Sequence, residues 1–387
     1  MASLQEFLEV LADAYPDEKA RGKEFEPFLR DALLASPSHQ FADVWLWDDW
    51  PGRDGPERGI DLVAVDLDGG LWGIQSKLYG PDGSLNWGKL STWVAATRDD
   101  PWVQRLLVSN VSKLSRNAEK ELLDDPKTRL LLGEDLFDLR VVWPDSLAGS
   151  AVRADPLEPF PHQVEAIEAI CDGFDGGAAR LQVHMACGTG KTFTALWAYQ
   201  YLAPGLAVVL VPSLSLMLQT IREWTANTTV GFRFLPVCSD VKVTEDKRPG
   251  EDPDLTVGDL SVLDAPATTD VDTIAGFLRL DEPRVVFCTY QSSDVLADAC
   301  ATAGVRFGLV VADEAHRTTG KASSVFATVL DEDRFPAERR LFMTGTPRTF
   351  TAAKEKKYEA LSEQLTAEVE SVQFHATKIE FLVDNLY

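Results

Sequence analysis

The sequence predicts an α/β protein with two folded domains joined by a linker, and three observations support this fold class. Six apolar, strand-like runs alternate with helical segments after residue 161. Residues 59–77 read as two strands around a short glycine turn. Between these regions, residues 144–161 are rich in Pro, Ala, Ser and Asp, which is typical of a linker. The predicted divisions are a mixed α/β domain at 1–145, a linker at 146–160, a doubly wound parallel-sheet domain at 161–350 and a helical tail at 351–387.

The composition is that of a folded, globular chain. Its 387 residues suffice for two or three domains, each with its own core. A hydrophobic fraction of 45% and a charged fraction of 25% are ordinary values. The amino terminus lacks the pattern of a secretory signal, and no run approaches the ~18 apolar residues that a membrane span needs. Five scattered cysteines without CxxC spacing favour reduced thiols, so we expect a cytoplasmic protein.

The net charge of −24 and the pI near 4.6 argue against nucleic acid as a bulk electrostatic partner. Part of this charge is concentrated in residues 239–282, which carry twelve Asp and Glu against four Lys and Arg. We interpret this stretch as a solvated, acidic excursion that need not contact DNA. Basic side chains remain elsewhere: Lys113, Arg116, Lys120, Arg317, Lys321, Arg348 and Lys354.

The segment MACGTGKT at 185–192 predicts a phosphate-binding loop. It follows an apolar strand pattern and leads into a helical pattern at 193–202, which is the context that such a loop requires. In this motif, backbone N–H groups surround a phosphate, the lysine reaches the β and γ oxygens and the hydroxyl ligates Mg²⁺. The residues predicted for these contacts are Gly188, Thr189, Gly190, Lys191 and Thr192. A stray Gly-Lys-Thr is common by chance, so the context carries the interpretation.

A second acidic motif, DEAH at 313–316, follows the strand-like run at 307–312. Asp313 can hold Mg²⁺ through water, and Glu314 can polarise the attacking water. We also assign His316 to the nucleotide site. Because the loop and the acidic pair occur together, the sequence predicts that the chain binds ATP and Mg²⁺, and a purely structural role is the weaker alternative.

Four further segments resemble the motifs of a helicase of superfamily 2, whose first lobe is a RecA-like domain. They are FPHQVEAI (160–167), LVPSLSL (210–216), CTYQSS (288–293) and TGTP (344–347). The resemblance implies that Gln163 reads the adenine edge. It also implies that Ser213, Thr289 and Thr344 contact the sugar-phosphate backbone of DNA, a task that needs hydroxyls and backbone amides. The alternative for these three hydroxyls is helix or strand capping.

The hairpin at 59–77 carries a second group of polar side chains. A three-residue loop, Asp68-Gly69-Gly70, with glycine in the left-handed position would connect its strands. The register that this loop implies pairs Leu67 with Leu71, Val63 with Gln75 and Asp61 with Lys77. Because side chains alternate, Asp61, Gln75 and Lys77 would share one face, where they could hold Mg²⁺ and orient water for phosphodiester attack. The alternative is an ordinary hairpin with solvated Asp and Lys.

The hairpin resembles the PD-(D/E)xK nuclease fold in its Mrr-like restriction variant, in which Gln replaces the last acidic residue. The helical pattern at 21–34 is similar to the first helix of that family, whose glutamate faces the metal. We select Glu26 for that position because its neighbours form the packing stripe of the helix. These neighbours are Phe25, Phe28, Leu29 and Leu33. The resemblance therefore implies a catalytic set of Glu26, Asp61, Gln75 and Lys77.

Taken together, the two regions resemble the Type ISP (single-polypeptide) restriction–modification enzymes, up to about Pro347. The resemblance implies phage defence by cleavage of double-stranded DNA, coupled to ATP-driven translocation. Such enzymes continue with a second RecA-like lobe, a methyltransferase and a target-recognition domain, so we expect a truncated form that binds ATP but hydrolyses little, with those parts as separate partners. The alternative is a non-catalytic ATP- and DNA-binding module of a defence or repair complex.

Overall fold

A computed structural model describes most of the chain. The described residues are 2–56, 58–80, 83–137, 139–186, 188–238, 267–315 and 325–345, with the backbone of 377–380. They form two compact units, the first made by the residues up to Pro156 together with Thr225–Asn227, and the second by the remainder. Within the described residues, no helix is both long and apolar enough to cross a membrane.

The first unit is a five-stranded sheet with helices on both faces. Its helices are α1 (Leu4–Ala14), α2 (Glu18–Ala35), α3 (Trp87–Ala96), α4 (Arg116–Leu123) and α5 (Glu134–Phe137). Its strands are β1 (Phe41–Leu46), β2 (Leu62–Asp66), β3 (Leu71–Lys77), β4 (Trp102–Ser109), β5 (Thr128–Leu132) and the short β6 (Val141–Val142) and β7 (Val152–Arg153). The order is β1-β2-β3-β4-β5, antiparallel as far as β3 and parallel from β3 to β5. This arrangement confirms the predicted mixed α/β domain.

The two faces of this sheet bury different side chains because residues alternate along each strand. Leu62 and Ile74 pack with Leu29 of α2 in one cluster. Val63 lies in a second cluster with Trp93 of α3. The odd-numbered residues of β3, which include Gln75 and Lys77, therefore lie on the side of the sheet that packs against α3.

The predicted linker begins inside this fold. Ala151 is buried in the first cluster, and Val152 and Arg153 pair with β6. The Pro- and Ala-rich composition that suggested a linker here does not prevent short pairing or burial. The division into domains at 146–160 otherwise stays a prediction.

The second unit is a parallel sheet whose strands alternate with helices. Its helices are α6 (Pro161–Asp175), α7 (Lys191–Leu202), α8 (Leu214–Asn227), α9 (Val271–Leu278) and α10 (Ser293–Ala303). Its strands are β8 (Arg180–His184), β9 (Leu206–Val211), β10 (Arg233–Val237), β11 (Arg284–Thr289), β12 (Leu309–Ala312), β13 (Arg340–Thr344) and β14 (Thr377–Glu380). The strand order is β10-β11-β9-β12-β13-β8-β14, and every pairing is parallel. The predicted doubly wound sheet is confirmed.

Two stretches differ from what composition suggested. The end of the acidic excursion is not solvated, since Ile274 and Leu278 of α9 are buried in the core of the unit. Residues 239–266 lie outside the described part of the chain. In the predicted helical tail, Thr377–Glu380 is a strand beside β8, whereas the stripe of Leu361, Leu365, Val369 and Val372 lies outside the described residues.

Candidate functional site

The hairpin has the predicted kind of turn, but its register differs by two residues. Val63 lies opposite Gly73 rather than Gln75. The loop still has three residues, 67–69, because Gly69 takes the left-handed position with φ of +84°. Asp66 stabilises the loop at residues 67–69. The Asp66 carboxylate accepts the N–H groups of Asp68 at 3.0 Å and Gly70 at 2.7 Å, and the indole N–H of Trp72 at 3.0 Å.

A shift of two residues leaves every side chain on its expected face, since the strand period is two. Asp61 comes just before β2, and its N–H donates to the carbonyl of Ile74. The Asp61 Oδ2 atom lies 3.5 Å from Lys77 Nζ and accepts the N–H of Ser76 at 2.7 Å. Asp61 is buried, with 4% of its surface exposed. The structure therefore places Asp61 and Lys77 together, as the sequence predicted.

Gln75 presents an oxygen atom that is suited to a cation. Its Nε2 donates to the carbonyl of Gly59 at 2.9 Å, whereas its buried Oε1 accepts no hydrogen bond from the residues that the structure describes. Gly59 adopts φ of +81°, a conformation that favours glycine. A buried oxygen without a donor costs free energy, and an amide oxygen beside a carboxylate is a donor set that Mg²⁺ accepts. These residues fit a divalent cation.

Glu26 is placed differently from the hairpin residues. It is buried in α2, and its Oε2 lies 2.9 Å from Lys23 Nζ. The helix packs against the sheet face of Ile74, which is opposite to the face of Gln75. The structure thus does not gather Glu26 and Gln75 on one face, and the metal-facing role of Glu26 stays a prediction.

The phosphate-binding loop has the backbone form that its glycines allow. Gly188 and Gly190 adopt φ of +83° and +82°, and α7 begins directly afterwards at Lys191. Thr189 Oγ1 donates to the carbonyl of Ala186 at 2.7 Å, which closes the turn. Strand, turn and helix therefore follow in the order that the motif requires.

Gln163 lies against this loop. It is 3% exposed, and its Nε2 donates to the carbonyls of Thr189 at 3.2 Å and Gly190 at 3.5 Å. Its Oε1 accepts the N–H of Phe160 at 2.8 Å. Contact with adenine would require Gln163 to exchange some of these bonds, and that role stays a prediction.

Lysine and carboxylates of the two motifs meet beyond the ends of β8 and β12, the two strands that flank β13 in the sheet. Lys191 Nζ lies 3.5 Å from Glu314 Oε1, and Glu314 adopts φ of +47°. Burial raises the pKa of Asp313, and the charge of Glu314 acts in the same direction, whereas the N–H of Glu314 and the charge of Lys191 lower it. The structure brings these three residues together. His316 lies outside the described residues.

The three hydroxyls assigned to DNA lie at the carboxyl ends of β9, β11 and β13, at the same edge of the sheet. Ser213 is the N-cap of α8 and accepts the N–H of Leu216 at 3.4 Å, so its capping role is real. Thr289 is 5% exposed and donates to Ser292 at 3.3 Å, and Thr344 is 1% exposed. Their contact with DNA stays a prediction.

Sequence reasoning missed three side chains that contact the nucleotide site. A ring nitrogen of His162 lies 3.1 Å from the carbonyl of Thr189. Trp224 and Tyr290 donate to the main chain of the two motifs from other elements. His162 could have been suspected because it precedes Gln163 in the sequence. The contacts of Trp224 and Tyr290 join residues far apart in the chain, so the local sequence pattern does not indicate them.

Comparison with known families agrees with this geometry. The family model described as the res subunit of Type III restriction enzymes matches residues 156–349, half of the chain. The chain belongs to this family. A second model, described as a restriction endonuclease of the Mrr type, matches residues 35–152. The prediction of a restriction nuclease domain followed by a helicase domain is thus confirmed for this chain.

Individual proteins show the same likeness. The probable helicase A859L of African swine fever virus (isolate Tick/South Africa/Pretoriuskop Pr4/1996) is 31% identical over 183 residues, covering 47% of this chain and 19% of the viral protein. The protein of strain Badajoz 1971 Vero-adapted gives the same values. The solved ATP-dependent Type ISP restriction-modification enzyme LlaBIII bound to DNA superposes with a TM-score of 0.69 at 26% identity, covering 88% of this chain.

A nuclease-deletion mutant of the Type ISP enzyme LlaGI, solved in complex with a DNA substrate mimic, has a TM-score of 0.40 at 30% identity and covers 48% of this chain. The chain spans about one fifth of the length of the relatives it matches, 22% of LlaBIII and 15% of the LlaGI mutant. The likeness to LlaBIII extends over both units and confirms the resemblance to Type ISP enzymes.

Proposed function

We propose that this chain is the nuclease and motor part of an ATP-dependent restriction enzyme that cuts double-stranded DNA in phage defence. The observation that carries the proposal is the cluster of buried Asp61, buried Gln75 and partly exposed Lys77 in the unit that matches a restriction endonuclease. The same chain also has a phosphate-binding loop of the kind that binds ATP. The likeness to LlaBIII, a restriction-modification enzyme solved bound to DNA, supports DNA as the substrate. We also place the protein in the cytoplasm, with methyltransferase and target-recognition functions as its partners.

The nuclease chemistry follows from how the hairpin holds its side chains. Bound Mg²⁺ supplies Lewis acidity to the scissile phosphate and lowers the pKa of a bound water. Asp61 Oδ2 and Gln75 Oε1 are the atoms that would hold it. The N–H of Ser76 fixes the Asp61 carboxylate, and the Gly59 carbonyl fixes the Gln75 amide. Lys77 then stabilises negative charge on the phosphate or orients the attacking water.

The motor unit would use its Lys191–Glu314 pair in a related way. A nucleotide phosphate attracts the ammonium group of Lys191 away from Glu314, which is 3.5 Å distant. Glu314 is then available to polarise the attacking water, while Thr192 and Asp313 are the residues that would hold Mg²⁺. We infer that, with a second RecA-like lobe as partner, ATP hydrolysis drives movement along DNA through Ser213, Thr289 and Thr344.

Two substitutions test the proposal because each affects one unit. Asp61→Ala should abolish Mg²⁺-dependent nicking of plasmid DNA and leave the affinity for ATP and Mg²⁺ unchanged. Lys191→Ala should weaken nucleotide binding at least tenfold, which is about 1.4 kcal/mol, as measured by calorimetry. Asp68→Ala is the matched control, since it removes an exposed carboxylate from the loop of the same hairpin.

Three results would contradict the proposal. Nicking that survives Asp61→Ala means that another site cuts the DNA. Equal nucleotide affinity in the wild-type chain and Lys191→Ala means that the loop does not bind phosphate. Binding of ATP and DNA by a wild-type chain that never nicks would instead favour a non-catalytic module of a defence or repair complex.

A further inference from the structure

Two buried aromatic side chains hold the main chain of the residues that would ligate Mg²⁺ in the motor unit. The indole N–H of Trp224 donates to the carbonyl of Thr192 at 3.0 Å. The hydroxyl of Tyr290 donates to the carbonyl of Asp313 at 2.7 Å. Both rings are fully buried. Each predicted metal ligand is thus tied to a side chain that belongs to neither motif.

The two donors are themselves firmly held. Trp224 lies near the end of α8 and packs on three other rings, with centroid distances of 5.4 Å to Tyr199, 5.7 Å to Phe287 and 6.4 Å to Phe232. Tyr290 follows β11 and lies in the core cluster of the unit. Because a packed core has little room to relax, both donors act as fixed points.

The position of these donors matters for a metal with strict geometry. Mg²⁺ requires a near-octahedral arrangement with short bonds to oxygen, and ligands perform well only when supporting bonds fix them closely. Trp224, Thr192 and Asp313 line one small cavity, so one donor and both predicted ligands lie around a common space. A carbonyl that loses its donor is free to shift, and its side chain shifts with it.

We propose that Trp224 and Tyr290 are positioning residues that set the separation of Thr192 and Asp313 for Mg²⁺. Each side chain would act through the main-chain carbonyl to which it donates. The inference rests on the proposed function, in which this site binds ATP and Mg²⁺. It adds that the metal-dependent part of nucleotide binding depends on α8 and on the segment after β11.

The test compares nucleotide affinity with and without the metal. Trp224→Phe and Tyr290→Phe each remove one donor and keep a ring in place. The affinity of the full chain for a fluorescent ADP is measured in Mg²⁺ and in EDTA, and their ratio is the gain from the metal. We expect the affinity in EDTA to stay unchanged and the gain to fall about tenfold, in line with the loss of a well-placed hydrogen bond.

A matched control exists in the other unit. Trp93 is also fully buried, and its indole N–H donates to the carbonyl of Gly73 at 3.0 Å. Trp93→Phe removes the same kind of bond, so it should leave both nucleotide affinities unchanged. Tyr290→Phe loses a single oxygen atom, and it decides the question if Trp224→Phe does not fold.

The outcomes separate this inference from the proposed function. An unchanged gain in Tyr290→Phe and in a folded Trp224→Phe overturns the inference. So does an affinity that falls equally in Mg²⁺ and in EDTA, since that pattern means general support of the loop. A wild-type chain that gains nothing from Mg²⁺ contradicts the proposed nucleotide site itself.

Discussion

Replacing Gln75 by Glu should make the amino-terminal unit less stable without metal and more responsive to Mg²⁺. The substitution removes the Nε2 donor to the carbonyl of Gly59, a bond of 2.9 Å in a buried place. It also puts a carboxylate on the strand position across from Asp61, where like charges repel. Loss of a buried hydrogen bond with an unsatisfied carbonyl costs about 2 kcal/mol. In a unit of this size that lowers the melting temperature by about 4–8 °C.

Mg²⁺ should reverse this loss because the new carboxylate would be a metal ligand. A ligand at about 100 times its Kd stabilises the folded state by about 2.7 kcal/mol, which is more than the cost of the substitution. Scanning calorimetry of wild-type chain and Gln75→Glu, each in EDTA and in Mg²⁺, measures both effects. We expect the variant to melt lower in EDTA and to gain more from Mg²⁺ than the wild-type chain.

A second glutamine provides the control. Gln104 of β4 also has a buried amide oxygen with no hydrogen-bond partner among the described residues. It lies beside Trp72, away from the end of the hairpin that carries Asp61. Gln104→Glu should therefore lose stability and gain nothing from Mg²⁺. If both variants respond to Mg²⁺ alike, or if Gln75→Glu does not respond at all, the assignment of Gln75 Oε1 as a metal ligand is wrong.

Two further predictions concern stability. Burial lowers the pKa of His39 to about 4, whereas in the unfolded chain this histidine is protonated near pH 6.5. The free energy of unfolding should therefore fall by about 3 kcal/mol as pH decreases from 6.5 to 4. Urea titrations at several pH values should show that His39→Gln removes this part of the pH dependence. Gly190→Ala should lower the melting temperature more than Gly188→Ala. Both positions have positive φ, but only at Gly190 would a Cβ meet the amide of Gln163, and equal losses would contradict that contact.

Local patterns gave the hairpin face correctly and its register incorrectly. The sequence contains two adjacent glycines, 69 and 70, and either could take the left-handed position of a three-residue loop. The choice depends on Asp66, whose carboxylate collects three N–H groups only after the turn has formed. The predicted face of each side chain was still correct because the register error was two residues, which leaves Asp61 on the same face as Lys77.

Composition was a weaker guide than periodicity. The strands from β8 to β13 of the parallel sheet were found because buried runs bounded by turns are a strong signal, whereas β14 was missed in the predicted helical tail. The linker and the acidic excursion were judged by residue type alone, and Ala151 and α9 proved to be part of the packed structure. The bonds of Trp224 and Tyr290 join residues 32 and 23 positions apart from their partners, so no local pattern could indicate them.

The strong negative charge of the chain is compatible with phosphate chemistry because charge is matched locally at both sites. In each unit one lysine lies 3.5 Å from one carboxylate, Lys77 from Asp61 and Lys191 from Glu314. Asp61 and Lys191 are buried, and a buried charge is tolerated only while it has a partner. In the proposed function, a phosphate would take the lysine as its partner, and a divalent cation would take the carboxylate. We therefore expect phosphate and metal to bind best together, a cooperation that would need no positive field from the rest of the surface.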